Sequence, residues 1–337
     1  MAWKIFAYSA FWDDRMDLSE GFRVIIVAAG PRRPLILQRV SCMLNYGDYN
    51  QTTDTNFQVI NENHGKSTSA ILFYCFPASS ERIPVSATLF LKKRKIVRAW
   101  IPVHQQKLRT DDSTNKTVVC LRPMFGNVIL TPQVVEFIAF YQIIGATHFT
   151  FYDNGITKEI HLLLKKLQEK AGVSVSIHSW DLPKTLSSIW ERGQLAAIQD
   201  CIHRHMNTFE FVILVDIDEF IVPQKQHQMT VQEIIHYVDK HKKEPPGFKW
   251  GSYVFRNSFF CLEFPSQNSA LKPRIELLTQ TKLFRKKKIW PPFERSKVIV
   301  RPRVVKVGGI HSVIEHVAGY RFQVIPPEFG LLHHYRG

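Results

Sequence analysis

No apolar run in the 337-residue sequence approaches the roughly 20 residues needed to cross a bilayer. The start, Met1-Ala2-Trp3-Lys4, leads almost directly into Phe6-Ala7-Tyr8-Ser9-Ala10-Phe11-Trp12, so neither an anchor nor a signal peptide is visible. The expectation is either a cytosolic protein or a chain without the N-terminal anchor that its relatives carry. Cysteine is scarce: Cys42, Cys75, Cys120, Cys201 and Cys261 show no C-x-x-C spacing, which argues against a zinc site. The odd count fits reduced thiols, or two disulfides and one free thiol. Gly-x-Gly-x-x-Gly, P-loop and Gly-x-Ser-x-Gly patterns are absent, as are internal repeats and low-complexity segments. No long basic arm or nucleic-acid motif is present, which ranks nucleic acid low as a partner.

What is present is a chain rich in core-forming residues, 45% hydrophobic and 12% aromatic, which excludes disorder. Its formal net charge is +15 and its pI about 9.6, a balance suited to an anionic ligand such as a phosphorylated substrate. Local basic clusters lie at 92–95 and 285–288, and the second either binds phosphate or is a solvated loop. Asn50 and Asn115 head glycosylation sequons and weakly support a secretory lumen.

Residues 1–116 read as a β-rich region, with strands expected at 22–29, 69–76, 87–93 and 96–103 and a polar stretch at 45–66. A polar linker is expected at 104–116. Residues 117–337 change texture and form the second domain. Strands at 117–121, 148–152, 173–180 and 211–215 alternate with helices starting at Thr131-Pro132, at 158–170 and at 193–205. That βαβαβαβ series predicts an α/β fold with a mostly parallel central sheet. A further helix is expected at 230–241 and strands at 250–261 and 304–307.

The chemistry concentrates at 209–223. The apolar run 211–215 has the pattern of a strand buried on both faces and ends in Asp216-Ile217-Asp218-Glu219. A strand ending in carboxylates delivers them to the carboxyl edge of the sheet, where open α/β folds bind ligands. On extended backbone Asp216 and Asp218 point to one side, and two such carboxylates favour a cation between them. Hard oxygen ligands suit Mn²⁺ or Mg²⁺, and such an ion suits a diphosphate. Asp153-Asn154, after the second strand, either hydrogen-bonds a ribose or base or forms only a tight turn. Arg192 and Arg204 can approach a diphosphate, although Asp200 and Arg204 are spaced for a local ion pair. Gln194 shares a helical face with Ile198 and Cys201. Gly308-Gly309 lets the chain turn and aim His311 inward, and His333-His334 is either a metal pair or a tail. Trp250, Tyr253 and Phe255 either stack on sugars or pack in the core, the second being the safer assumption.

With these motifs in order, the segment 118–223 resembles glycosyltransferase family 92. The matching residues are Cys120-Leu121-Arg122-Pro123-Met124-Phe125-Gly126, Glu136-Phe137-Ile138-Ala139-Phe140-Tyr141 with Gly145, and His148-Phe149-Thr150-Phe151-Tyr152-Asp153-Asn154. They continue with Trp180, Gly193-Gln194, Asp200-Cys201 and Asp216-Ile217-Asp218-Glu219-Phe220. Lys297-Val298-Ile299-Val300-Arg301-Pro302, His311 and His334-Tyr335-Arg336 are similar too, so the resemblance spans about 117–337.

The resemblance implies a GT-A type fold and a UDP-sugar donor, with Asp216 and Asp218 holding Mn²⁺ (or Mg²⁺), and the Gly308-Gly309 turn can bring His311 to the metal as a further ligand. Asp153, Asn154, Arg192, Gln194 and Asp216 would contact the nucleotide sugar. The family's chemistry implies inverting transfer of a hexose, galactose, to a glycan on a glycoprotein in the Golgi. An inverting transfer needs a carboxylate base, and Glu263, Glu276 and Glu315 are the candidates, none favoured by spacing. The rival readings are an inactive glycan- or nucleotide-binding protein of the same fold and, from charge alone, a nucleic-acid binder. The sequence leaves the oligomeric state open.

Overall fold

The computed structural model describes residues 4–15, 21–93, 97–105, 116–126, 131–186, 188–224, 230–266 and 277–337. The chain divides into two compact units, Met1–Thr110 with Leu182–Thr208, and Asp111–Asp181 with Phe209–Gly337.

The first unit is built on an eight-stranded sheet. Its strands are β1 (Phe6–Asp13), β2 (Arg23–Pro31), β3 (Val40–Asn45), β4 (Asn50–Thr53), β5 (Thr55–Val59), β6 (Thr68–Cys75), β7 (Ser86–Leu91) and β8 (Ile101–His104), with one helical turn, α1 (Pro34–Leu37). The spatial order is β4-β3-β7-β8-β1-β2-β6-β5, antiparallel except where β1 meets β8. β2 and β6, antiparallel neighbours, are buried along their whole length and carry the apolar runs visible in the sequence. The polar stretch 45–66 reads as a loop but holds β4 and β5, whose Thr and Asn side chains suit half-exposed outer strands. Cys42 on β3 and Cys75 on β6 form a disulfide across a sequence separation of 33. Asp13 sits in a buried ion pair with Arg15 (2.7 Å) and Arg23 (3.0 Å).

The second unit begins with β9 (Thr117–Leu121), α2 (Thr131–Ile143), β10 (His148–Asp153), α3 (Lys158–Ala171) and β11 (Val175–Ser179). α3 starts at Thr157, whose hydroxyl accepts from Ile160 N–H, and stops at Gly172, whose φ of 63° places it in the left-handed cap. The chain then returns to the first unit for one helix, α4 (Gln194–His205), which packs on β1, β2 and β6. A single break at 116/117 therefore does not describe the compact units. α4 is apolar or small along Leu195-Ala196-Ala197-Ile198 and is buried with the first sheet, a pairing that chain order alone does not reveal.

The second unit resumes with β12 (Phe211–Val215), β13 (Glu219–Pro223), α5 (Val231–His241), β14 (Lys249–Phe255) and β15 (Asn257–Cys261). It ends with α6 (Leu278–Thr281), β16 (Lys297–Val300), β17 (Val305–Gly308), β18 (Val313–His316), β19 (Tyr320–Val324) and β20 (Gly330–Arg336). Its large sheet has the order β11-β10-β9-β12-β16-β14-β19. β11, β10, β9 and β12 are parallel, as the βαβ series predicts. β16 runs antiparallel to both β12 and β14, while β14 and β19 pair in parallel, so the sheet is mixed, with β16 the strand that runs against its neighbours. Cys261 is a buried free thiol on β15. Among the described residues no helix is long and apolar enough to cross a membrane.

Candidate functional site

The sheet direction gathers the charged groups. β9 and β12 are parallel neighbours, with Leu121 opposite Val215, so Arg122 and Asp216 follow directly at one edge. β16 is antiparallel to β12, with Leu214 opposite Val298, so it begins where β12 ends and brings Lys297 to the same edge. β12 and β14 then step, after short breaks, into β13 and β15, the two outer strands of a three-stranded sheet centred on β20. In that sheet His334 faces Glu219 on one side and Phe259 on the other.

The result is a compact charge cluster. Lys297 Nζ donates to Asp216 Oδ2 (3.1 Å) and lies 3.2 Å from Glu219 Oε2. Arg122 Nε is 3.8 Å from Asp216 Oδ1. His334 Nε2 is 3.3 Å from Asp218 Oδ2, and its Nδ1 is 3.5 Å from Glu219 Oε1. Glu219 Oε2 also accepts the Asp216 N–H (2.9 Å), which tightens the turn between the strands. The buried Tyr141 of α2 donates to Glu219 O (3.0 Å) and accepts from Ile221 N–H (3.2 Å), fixing the start of β13. Tyr335 N–H donates to Asp218 O (2.9 Å), so the backbone on both sides of the acidic turn is tied.

Burial and neighbours pull these groups in different directions. Burial pushes the Glu219 carboxyl up to about 7, with Lys297 opposing it. Burial also pushes Asp216 up, but Lys297 and Arg122 outweigh it and hold the carboxyl below the ordinary range. Burial penalises the Lys297 ammonium, yet Asp216 and Glu219 keep it charged and raise its pKa. His334 is likewise pulled down by burial and lifted further by the Asp218 hydrogen bond and the Glu219 charge, for a net rise. Lys297 and Glu219 are 3% exposed, whereas Asp218, at 31%, is the most exposed of the three carboxylates.

The remaining predicted residues fall in several places. Asp153 ends β10 on the same sheet edge, and its Oδ1 accepts from Gly155 and Ile156 N–H while Oδ2 lies 2.7 Å from His161 Nε2. Asn154 Nδ2 donates to Trp180 O (2.6 Å). Both therefore take part in the turn, one of the two readings that the sequence allows. Arg192 and Gln194 lie in the first unit. Arg192 is exposed in left-handed backbone (φ 55°) next to Glu191 (φ 42°), and Gln194 is buried at the start of α4. His311 follows β17, and its Nδ1 lies 3.0 Å from Ser296 O, one residue before Lys297. His333 faces away from His334, stacked on Phe260 at 4.2 Å, and burial lowers its pKa to about 3. Glu263 is exposed after β15, Glu315 pairs with Lys306 (2.6 Å), and Glu276 lies outside the described residues, as does Asn115. Trp250, Tyr253 and Phe255 are core residues. Arg204 pairs with Asp200 (2.9 Å), as their spacing suggests.

Sequence reasoning did not single out Lys297, Arg122 or Glu219 for a role of their own. One signal was available for Lys297: it heads the otherwise apolar strand Lys297–Val300, where an unpaired ammonium is costly. Glu136 had a quieter role to find. Its buried carboxylate accepts from Leu278 N–H (3.0 Å) and Thr279 N–H (2.7 Å), pinning a later segment to α2.

The donor set can be tested against a divalent ion. Asp218 supplies a partly exposed carboxylate and His334, 3.3 Å away, a largely buried imidazole, a combination that Mn²⁺ accepts. Asp216 is already neutralised by Lys297, and the donor atoms of Asp216, Asp218 and His311 are not gathered within 4.8 Å of one another. The chemistry of the Asp218–His334 pair thus fits a metal, with incoming ligand oxygens completing its shell.

The fold and this edge can now be set beside known proteins. The beta-1,4-galactosyltransferase galt-1 of Caenorhabditis elegans is 25% identical over 226 residues, covering 65% of this chain and 51% of the relative. The chain thus spans about half the length of that curated relative. A solved structure described as a mycobacterial protein covers 71% of this chain and 72% of its own at 11% identity, with a TM-score of only 0.30. The family model for glycosyltransferase family 92 matches residues 115–337, more than half of the sequence and all of the charge cluster, and the chain belongs to that family.

Proposed function

We propose that the chain is a GT-A type glycosyltransferase that moves a hexose, galactose from UDP-galactose, onto a glycan of a glycoprotein with inversion. The observation that carries this reading is the cluster of Asp216, Asp218 and Glu219 at the carboxyl edge of the parallel strands, opposed by Lys297, Arg122 and His334. Family membership and the galactosyltransferase name of the relative support the reaction class and the sugar. Asp218 and His334 would hold a divalent ion, Mn²⁺ or Mg²⁺, which supplies Lewis-acid stabilisation of the charge on a departing diphosphate. Lys297 keeps Asp216 ionised and, through Glu219 and the Asp216 N–H, sets the turn that presents Asp218. Arg122 adds positive charge on the same edge, where an anionic leaving group is favoured. Asp153 and Asn154 shape the neighbouring loop at the end of β10.

An oxidising compartment, the Golgi lumen in this reading, is supported by the Cys42–Cys75 disulfide and by exposure of the Asn50 sequon. The test is a screen of UDP-sugars with Mn²⁺ and a glycoprotein acceptor, read as UDP release. Acceptor-dependent release from UDP-galactose is the expected result. A folded protein that releases UDP from no sugar donor contradicts the reading.

A further inference from the structure

Beside the charge cluster lies a second feature that the transfer reaction leaves unused. Residues 286–290 run along β15, the outer strand of the three-stranded sheet, as a tied segment. Lys286 N–H donates to Phe259 O (2.8 Å), Trp290 N–H to Asn257 O (2.9 Å), and Arg256 Nε to Trp290 O (2.9 Å). Ser258 and Ile289 form an antiparallel bridge between these contacts. The basic run is therefore held in place by the sheet rather than being a freely solvated loop.

That attachment sets two rings and three cations together. Phe259 and Trp290 meet edge to face at 5.7 Å. Lys288 Nζ lies 3.7 Å from the centre of the Trp290 ring, and Arg295 Cζ lies 5.0 Å from Trp290 and 5.3 Å from Phe259. Lys286 Nζ is 5.9 Å from Phe259. Lys286, Lys288 and Arg295 are exposed, and among the described residues none of them has a carboxylate partner. Arg295 stands in left-handed backbone (φ 56°), close to Phe293 (φ 70°), a conformation that non-glycine residues adopt only where the surroundings hold it. Because the rings already carry cations, they offer a ligand oriented positive charge rather than bare aromatic face. Phe259 also packs on His334 at 5.2 Å, so this ledge adjoins the Asp218–His334 pair.

We propose that the Phe259–Trp290 ledge, through Lys286, Lys288 and Arg295, binds an acidic group, a carboxylate or sulfate, on the acceptor glycan, so that the enzyme selects acidic over neutral acceptors. This rests on the transferase reading of the adjacent site. The exposure of all three cations suits a bulky acceptor carried on a protein, and the net charge of +15 draws polyanions toward this surface. Charge-assisted contacts of this type depend on ionic strength and on both partners being charged.

The experiment measures binding without turnover. The full chain is titrated with a sialylated biantennary N-glycan and with the same glycan after removal of its sialic acid, and separately with UDP. The expected result is that the sialylated glycan binds about tenfold tighter or more, and that added salt removes the difference. Lys288→Gln with Arg295→Gln should abolish the preference, Lys288→Arg should keep it, and UDP binding should be the same in all. Equal binding of the two glycans overturns the proposal. So does a double variant that loses UDP binding while keeping its glycan preference, because the ledge would then serve the donor. Selective glycan binding without UDP release in any assay would instead count against the transferase reading alone.

Discussion

Lys297 Nζ lies 3.1 Å from Asp216 Oδ2 although 81 residues separate the two in sequence, and the ammonium is buried where β16 and β12 meet head to tail. This contact joins the chain's two halves of the site, since Glu219 shares the same ammonium at 3.2 Å. Removing Lys297 takes from two buried carboxylates the ammonium they share and leaves only the more distant Arg122 and His334 to offset them. Lys297→Met should therefore cost about 3–5 kcal/mol of stability, read by denaturant unfolding. A loss below about 1 kcal/mol, the range of exposed ion pairs, would show that the pair is solvated.

Glu219 sets a pH dependence of opposite sense to an ordinary salt-bridged acid. Its ordinary pKa is 4.5, and burial raises it to about 7 in the fold. The group's contribution to stability is thus complete below pH 4.5 and is lost as pH rises toward 7. Relative to Glu219→Gln, the wild type should lose stability steadily across that interval and run parallel to the variant outside it. Unfolding curves that stay parallel from pH 4 to 8 would place Glu219 in the ordinary carboxylate range.

His334 and His333 should separate cleanly. The Asp218 hydrogen bond and the Glu219 charge favour protonated His334, overcoming burial, so a metal must displace a proton there. Mn²⁺ affinity should rise with pH through neutrality in the wild type and fall at least about tenfold in His334→Ala. His333→Ala, whose ring stacks on Phe260 away from the cluster, should leave Mn²⁺ binding unchanged. Calorimetric titration decides, and equal Mn²⁺ binding by wild type and both variants would remove histidine from the metal site.

Much of the second unit was legible in local pattern. β12 occupies 211–215 as its β-branched run predicts, α3 is bracketed by Thr157 and Gly172, and His333 and His334 alternate as extended backbone requires. What local pattern could not carry was partner choice at long range. Lys297 sits in a stretch, 279–303, that is basic and broken by Pro291-Pro292, and only the antiparallel pairing of β16 with β12 makes it a site residue. α4 has an unexceptional helical signature in sequence, and its place with the first sheet follows from tertiary packing. The polar β4 and β5 escaped notice because outer strands need no apolar run.

The Cys42–Cys75 disulfide should stabilise the first unit measurably. Closing a loop of about 33 residues restricts the unfolded chain by about 3–4 kcal/mol. Cys42→Ser with Cys75→Ser should lower the denaturant midpoint accordingly. An unchanged midpoint would mean that the packing of β3 and β6 holds without the cross-link.

The most direct test of the account is acceptor-dependent release of UDP from UDP-galactose in Mn²⁺, compared between the wild type and Asp218→Asn. Asp218 is the accessible carboxylate of the cluster, and its change to amide removes a charged ligand while disturbing little buried structure. The account predicts release by the wild type and loss of about a hundredfold or more in the variant, with an unaltered melting curve. Turnover at the wild-type rate in folded Asp218→Asn would contradict it.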